Sequence, residues 1–391
     1  MHKPRQLARR TLIAALATLA TRAQAQTAPL KLGILTTLAG PAADGAGTGS
    51  VLAARMAARL AAPLAISGPP IELLVADMGD RPDQGAAIAR AWYDQGVHAI
   101  LDVPNSATAL AVAELARARN RLALFSGAGS TALIGPCATN TLQWTYNTGA
   151  LARAGAAAVL AEGGRSWFFL TADYTFGHAL QRDVTAVVEA GGGRVLGSAA
   201  FPGDMTDFSA LLLLARSSGA DIIGLACTGV PFQNLVKQAS EFGIRSRLAA
   251  LLCLITNVHA IGLADAQGLL VTTPFYWDLN PGTRAFAAQF APQNRGIPPT
   301  LTHAGVFSAT THLLRCLPGH DPADGATLLA TMQRTPADDA LFGPSPVRAD
   351  GSVAHPMHLF RVKSPTESRG AWDYYAPLRT IDDAFGRGAC S

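Results

Sequence analysis

The chain has 391 residues, 49% of them hydrophobic and 15% charged, with a formal net charge of +4. That apolar content excludes an intrinsically disordered chain, and the length exceeds what one hydrophobic core usually supports, so two domains are expected. Five cysteines allow at most two disulfides, whose pairing the sequence leaves open, and there is no C-x-x-C or H-E-x-x-H spacing to mark a metal site.

Residues 1–25 read as an export signal. Lys3, Arg5, Arg9 and Arg10 form a positive region, and Thr11 to Ala20 is apolar but too short to span a membrane. Ala23-Gln24-Ala25 offers the small residues of a cleavage site, so a mature periplasmic chain beginning at Gln26 is expected, with twin-arginine export left open by the Arg9-Arg10 pair. The segment holds five of the 31 basic residues and no acid, leaving 26 basic against 27 acidic side chains, a net of −1. The basic balance belongs to targeting, and no nucleic-acid partner is expected.

Downstream, short apolar runs alternate with amphipathic helices, the pattern of a doubly wound parallel α/β sheet. The first series of strands is Leu30 to Leu38, Ile71 to Asp77, Ala99 to Val103 and Leu122 to Ser126. A second runs through Trp167 to Thr171, Val195 to Ala199, Asp221 to Ala226, Ala249 to Leu254 and Leu269 to Thr273. Leu180, Val184, Val187 and Val188 share one helix face, and Phe232, Leu235, Val236, Ala239 and Phe242 share another; Asp207 suits the N-cap of the helix between them. Two series predict two lobes with a first crossover near Trp144 to Gly149. Helices near 283–293 and 302–314 should return to cover the first sheet, and a third crossing near His355 sends the tail back to the second. The expected division is lobe 1 over 26–146 plus 279–355 and lobe 2 over 147–278 plus 356–391.

In such sheets a ligand sits beyond the carboxyl ends of the strands. The segments there contain Asn105, Ser106, Ala128 and Ser130 in the first series, and Tyr174, Phe176, Thr228, Gly229 and Asn257 in the second, with Tyr146, Tyr276 and Trp277 as further ring walls. Ser106 and Ser130 suit either a ligand carboxylate or ordinary helix capping. A catalyst cannot be assembled: there is no G-x-S-x-G elbow and no phosphate loop, and Gly45-Ala46-Gly47-Thr48-Gly49 lacks dinucleotide-binding spacing. No enzyme activity and no cofactor are expected.

The runs LKLGILTTLAGPAADGAG, ILDVPNSATALAVAE, LFSGAGSTALIG, WFFLTADYTFGHALQRDV and TPFYWDLNPGTRAF resemble the type I periplasmic binding proteins of the leucine/isoleucine/valine-binding group. More closely, they resemble ABC-transporter substrate-binding proteins common in alphaproteobacteria and betaproteobacteria. The resemblance implies two parallel-sheet lobes joined by three crossovers, a small-molecule ligand between them, an inner-membrane ABC permease as partner, and a monomer. It also implies that Ser106, Ala128 and Ser130 meet the ligand carboxylate, that Phe176 supplies a ring, and that Thr228 sits in a cleft loop. At Asn257, amino-acid binders of this group carry an acid opposite the ammonium. A neutral residue there favours an organic acid, an aromatic carboxylate first, with a branched-chain or other amino acid as the alternative, and a periplasmic sensor as the alternative of another class.

Overall fold

The computed structural model describes residues 28–40, 43–61, 69–135, 137–388 and 390. The export signal expected over 1–25 and its cleavage after Ala25 lie outside the described residues.

The first sheet is parallel throughout, in the order β2-β1-β3-β4-β5. It comprises β1 (Leu30–Thr36), β2 (Ile71–Asp77), β3 (Ala99–Asp102), β4 (Leu122–Phe125) and the short β5 (Thr141–Gln143). Helices α1 (Gly47–Ala61), α2 (Pro82–Asp94) and α3 (Ser106–Ala118) connect its strands. Successive strand residues point to opposite faces. Leu32, Ile34 and Leu101 therefore pack into the core with Ala53 and Ala54 of α1, while Leu35 and Ile100 pack with Trp92 and Val112 of α2 and α3. Gly33 is imposed by this second layer, because a Cβ there would stand 2.4 Å from the Trp92 ring.

After β5 the chain enters helix α4, Thr148–Leu151 continuing through a π-turn over Ala152–Ala156 to Ala157–Ala161. The second sheet, β6 (Ser166–Ala172), β7 (Arg194–Phe201), β8 (Ile222–Ala226) and β9 (Arg247–Ala250), is also parallel, in the order β7-β6-β8-β9. Its helices are α5 (Thr175–Ala190), α6 (Ser209–Ser217), α7 (Gly229–Glu241) and α8 (Ile255–Ile261). Leu180, Val184 and Val188 of α5 and Phe232, Leu235, Val236 and Ala239 of α7 are buried, as their spacing predicts, whereas Phe242 is exposed. Asp207 accepts the Ser209 N–H at 3.0 Å, but the cap position itself is Phe208.

Two strand expectations need correction. The run Ala249 to Leu254 is strand only to Ala250, and Leu251 to Leu254 form a loop. The strand β10 (Leu270–Thr273) does not extend the second parallel sheet. It pairs antiparallel with β11 (Met357–Val362), which pairs with β12 (Tyr375–Ile381), in a separate three-stranded sheet. Between β10 and β11, helices α9 (Pro281–Phe290) and α10 (Leu301–Cys316) return toward the first sheet, and α10 packs on α1 and β3. The first core is thus completed by residues nearly 200 positions downstream of β4.

Cys137 and Cys390 form a disulfide, while Cys227, Cys253 and Cys316 are buried free thiols whose pKa values burial raises. Among the described residues no helix is long and apolar enough to cross a membrane, and no cluster of side chains is suited to a metal ion. Unfolding in denaturant without reductant should therefore expose three reactive thiols, rising to five after reduction. Loss of the bridge in Cys137→Ser should cost about 2–5 kcal/mol of stability. Five thiols counted without reductant would contradict the bridge.

Candidate ligand-binding cleft

The carboxyl ends of both parallel sheets open on a shared cleft of about 620 Å³, a figure that includes its open mouth. One wall consists of Asp44, Gly45 and Ala46 between β1 and α1, Pro104 after β3, Gly127 after β4, Tyr146, and Thr302 in the first turn of α10. The opposite wall consists of Tyr174 and Phe176 at the start of α5, Thr228 and Gly229 at the start of α7, then Leu252, Leu254, Thr256 and Asn257 around the start of α8.

The beginnings of α1, α5, α7 and α10 therefore converge on the cavity. First-turn N–H groups have no intrahelical acceptor and carry the positive end of the helix dipole, so this arrangement favours negative charge. Among the described residues lining this cavity there is no Lys, Arg or His and the one charged residue is the exposed Asp44, while an adjoining cavity that shares Asp44, Ala46 and Thr256 with it is lined by His259, Arg295 and His303. Thr228 Oγ1 and Thr256 Oγ1 are buried without a hydrogen-bond partner. Such groups cost stability unless a ligand or water satisfies them.

The ring wall is closely fitted. Tyr146 donates to the Gly127 carbonyl at 2.8 Å and meets Phe176 edge-on at 6.4 Å between centroids, and Phe176 stacks on Tyr174 at 6.2 Å. A Cβ on Gly129 would stand 2.4 Å from the Tyr146 ring and 2.9 Å from the Phe176 ring, so glycine lets this loop meet rings from both sides. Burial raises the pKa of both the Tyr146 and Tyr174 phenols, and both rings are neutral walls.

Of the sequence-selected residues, the cleft brings together Tyr146, Tyr174, Phe176, Thr228, Gly229 and Asn257. Asn257 Oδ1 accepts the Leu254 N–H at 2.9 Å, so the residue caps α8 as well as lining the cavity. The other six do not line it. Asn105 caps α3 through the Ala107 and Thr108 N–H groups and donates to Asp80. Ser106 Oγ accepts the Ser130 N–H at 3.3 Å, and Ser130 Oγ accepts the Ala132 N–H at 3.2 Å, each acting as a local tie behind the wall. Ala128 is buried with its carbonyl held by Gln143.

Tyr276 and Trp277 line a smaller neighbouring cavity with Cys253 and Tyr375. Their polar ends both donate to the Trp372 carbonyl, at 3.2 and 2.9 Å. Trp372 adopts a left-handed backbone (φ 71°), and its ring stacks on His259 of α8 at 4.1 Å, while Tyr374 OH lies 2.7 Å from His259 Nδ1. This aromatic group buttresses α8 from behind. Sequence reasoning missed Asp44, Gly45, Ala46, Pro104, Gly127, Leu252, Leu254, Thr256 and Thr302 as lining residues. Most lie in or beside the selected loops, but Thr302 comes from a helix outside both strand series.

The sequence model described as periplasmic binding protein matches residues 29–370, and the chain belongs to that family. A periplasmic binding protein from Burkholderia mallei is 37% identical, with 93% of this chain and 96% of that one covered and a TM-score of 0.87. A branched chain amino acid ABC transporter periplasmic ligand-binding protein from Burkholderia xenovorans LB400 is 34% identical, covering 93% and 99%, with a TM-score of 0.81. An ABC-transporter solute binding protein from R. palustris in complex with benzoate shares the fold at 18% identity, covering 90% and 96%, with a TM-score of 0.78. No curated protein matches the chain significantly. The fold is that of the type I periplasmic binding proteins.

Because the Thr228 and Thr256 hydroxyls make no hydrogen bond within the protein, Thr228→Val and Thr256→Val should leave it as stable or up to about 1 kcal/mol more stable. Chemical denaturation checks this, and a loss of 2 kcal/mol or more would show that the hydroxyls have partners.

Proposed function

We propose that this protein is the periplasmic receptor of an ABC importer, that it captures a small organic acid, an aromatic carboxylate by preference, and that it delivers the acid to an inner-membrane permease. The observation carrying the reading is the cleft's composition: aromatic rings, helix starts and two unpartnered threonine hydroxyls, with no carboxylate among the described lining residues except the exposed Asp44. Rings accept an aromatic body, and hydroxyl and N–H donors accept a carboxylate. A buried ammonium would lack an anion, because Asn257 is neutral and committed to capping, and that omission costs several kcal/mol.

In this reading the crossovers lie near Trp144 to Gly149, near Asp278 to Gly282 and near His355. They divide lobe 1 (26–146 plus 279–355) from lobe 2 (147–278 plus 356–391), and the lobes close about these hinges on the ligand. The protein is exported with cleavage after Ala25, acts as a monomer without cofactor, and releases its ligand chemically unchanged. The family fold holds benzoate in the R. palustris protein. The second reading, an amino-acid ligand, draws on the name of the B. xenovorans relative and on Asp44 as a rim partner for an ammonium.

Calorimetry on the mature protein separates the two readings. Benzoate and 4-hydroxybenzoate should bind while leucine, valine and phenylalanine give no heat; the reverse pattern rejects the aromatic-acid assignment. Thr228→Val and Thr256→Val should each weaken benzoate binding by about 1–2 kcal/mol. Asn257→Asp keeps an acceptor for the Leu254 N–H but adds a charge, so it should weaken benzoate binding by a similar amount.

A further inference from the structure

One buried carboxylate lies directly under the first-lobe wall of the cleft. Asp102 ends β3, is fully buried, and has no salt-bridge partner among the described residues. Its Oδ2 accepts from Thr36 Oγ1 at 2.8 Å, and Thr36 Oγ1 in turn accepts the Gly47 N–H at 3.2 Å, where α1 begins. Its carbonyl accepts the Ser126 N–H at 3.1 Å and the Gly127 N–H at 3.4 Å. Asp102 and Val103 both have left-handed backbones, with φ of 77° and 50°. For a β-branched residue such as Val103 this is a strained elbow, held only where its surroundings over-determine it. The elbow delivers Pro104 to the cleft. Three lining loops, at Ala46, Pro104 and Gly127, thus converge on one residue.

The other oxygen, Oδ1, has no hydrogen-bond partner, and a Cβ on Gly127, itself a lining residue, would lie 3.1 Å from it. An ionised Asp102 would place a negative charge with no cation paired to it among the described residues one residue behind the wall that faces the ligand. Buried unpaired charges are neutralised by taking up a proton. The buried Ser50 hydroxyl lies beside this carboxyl and is placed to accept that proton.

We propose that Asp102 is the positioning residue of the first-lobe wall, and that capture of an anionic ligand is coupled to uptake of one proton by its carboxyl. The coupling rests on the anion reading above. Burial already pushes this carboxyl up to about 6, against the pull of the Ser50 and Thr36 hydroxyls, so a nearby anion need raise it only slightly to hold the proton at neutral pH. The groups facing it from β1, α1 and the turn after β4 are uncharged. Tyr146, beyond β5, is a neutral phenol, and His303 of α10 is held neutral, its pKa lowered to about 4 by burial while its Nε2 lies 2.8 Å from the Ala46 carbonyl. Among the described residues of this layer the carboxyl is therefore the one group whose shift brings it between pH 5 and 8.

The sign follows from linkage. If the liganded form binds the proton more tightly, affinity is greatest below the free-state midpoint and falls as pH rises through the liganded one, by roughly tenfold for a shift of about one unit. The test is calorimetric titration of the mature protein with benzoate between pH 5.5 and 8, in buffers of contrasting ionisation enthalpy. Wild type should show net proton uptake near pH 7 and affinity that falls roughly tenfold toward pH 8. Asp102→Asn, which preserves an acceptor for Thr36, should show no uptake, a flat profile and, at pH 8, affinity at least equal to wild type. Proton uptake unchanged in Asp102→Asn overturns the proposal, as does a flat wild-type profile with tight binding. An absence of benzoate heat from wild type at every pH removes the anion reading and the coupling with it. A ligand-free arm isolates the residue itself: carbon-detected NMR should place the Asp102 carboxyl midpoint near 6, and a midpoint near the ordinary value of about 4 rejects the buried proton whatever the ligand.

Discussion

Parallel pairing within the two principal sheets governs the rest of the molecule. A parallel strand must be followed by a crossover, and the crossovers here are helices, so each strand's carboxyl end lies near a helix start. The unsatisfied amides and positive dipole ends gather along one edge of each sheet, and facing those edges toward each other makes the cleft. The same constraint makes the first lobe incomplete in its own stretch of chain. Its sheet needs a helical layer on both faces, and part of one is supplied by α10, which brings Thr302 into the cavity wall.

On the proposed reading of a carboxylate guest, that geometry supplies donors without a side-chain cation among the described lining residues. A guanidinium would hold a carboxylate more strongly but would also release it less readily, whereas hydroxyls and helix starts offer directed donors of moderate strength. The unpartnered Thr228 and Thr256 hydroxyls are consistent with a site whose hydrogen bonds are completed by a guest. Tyr146 and Phe176, packed through the gap left by Gly129, give the two walls a shared aromatic seam.

Much of this was legible in the residues, and the exceptions have definite causes. Strands β1 to β4 and β6 to β8 alternate so regularly with amphipathic helices that their order follows from periodicity alone. The rule that ligands sit beyond carboxyl strand ends points to Tyr174, Phe176, Thr228 and Asn257, which line the cleft. Tyr276 and Trp277 follow β10, which pairs antiparallel in a different sheet, and they line the neighbouring cavity instead; apolar content does not reveal pairing direction. Leu252 and Leu254 were hidden inside an apolar run that reads as strand but bends after Ala250. Ser106 and Ser130 have the composition of ligand contacts, yet each oxygen is held by a neighbouring amide behind the wall. Asp102 drew no attention because a lone acid at a strand end looks like any turn residue until burial is known.

The aromatic buttress around Trp372 has a bearing on when the cleft comes into existence. Its ring and carbonyl brace α8 and the Tyr276-Trp277 pair, more than 90 residues earlier in the chain. During synthesis the loop carrying Thr256 and Asn257 emerges well before the residues that support it. A growing polypeptide thus has α8 without its aromatic brace until Trp372 has been made.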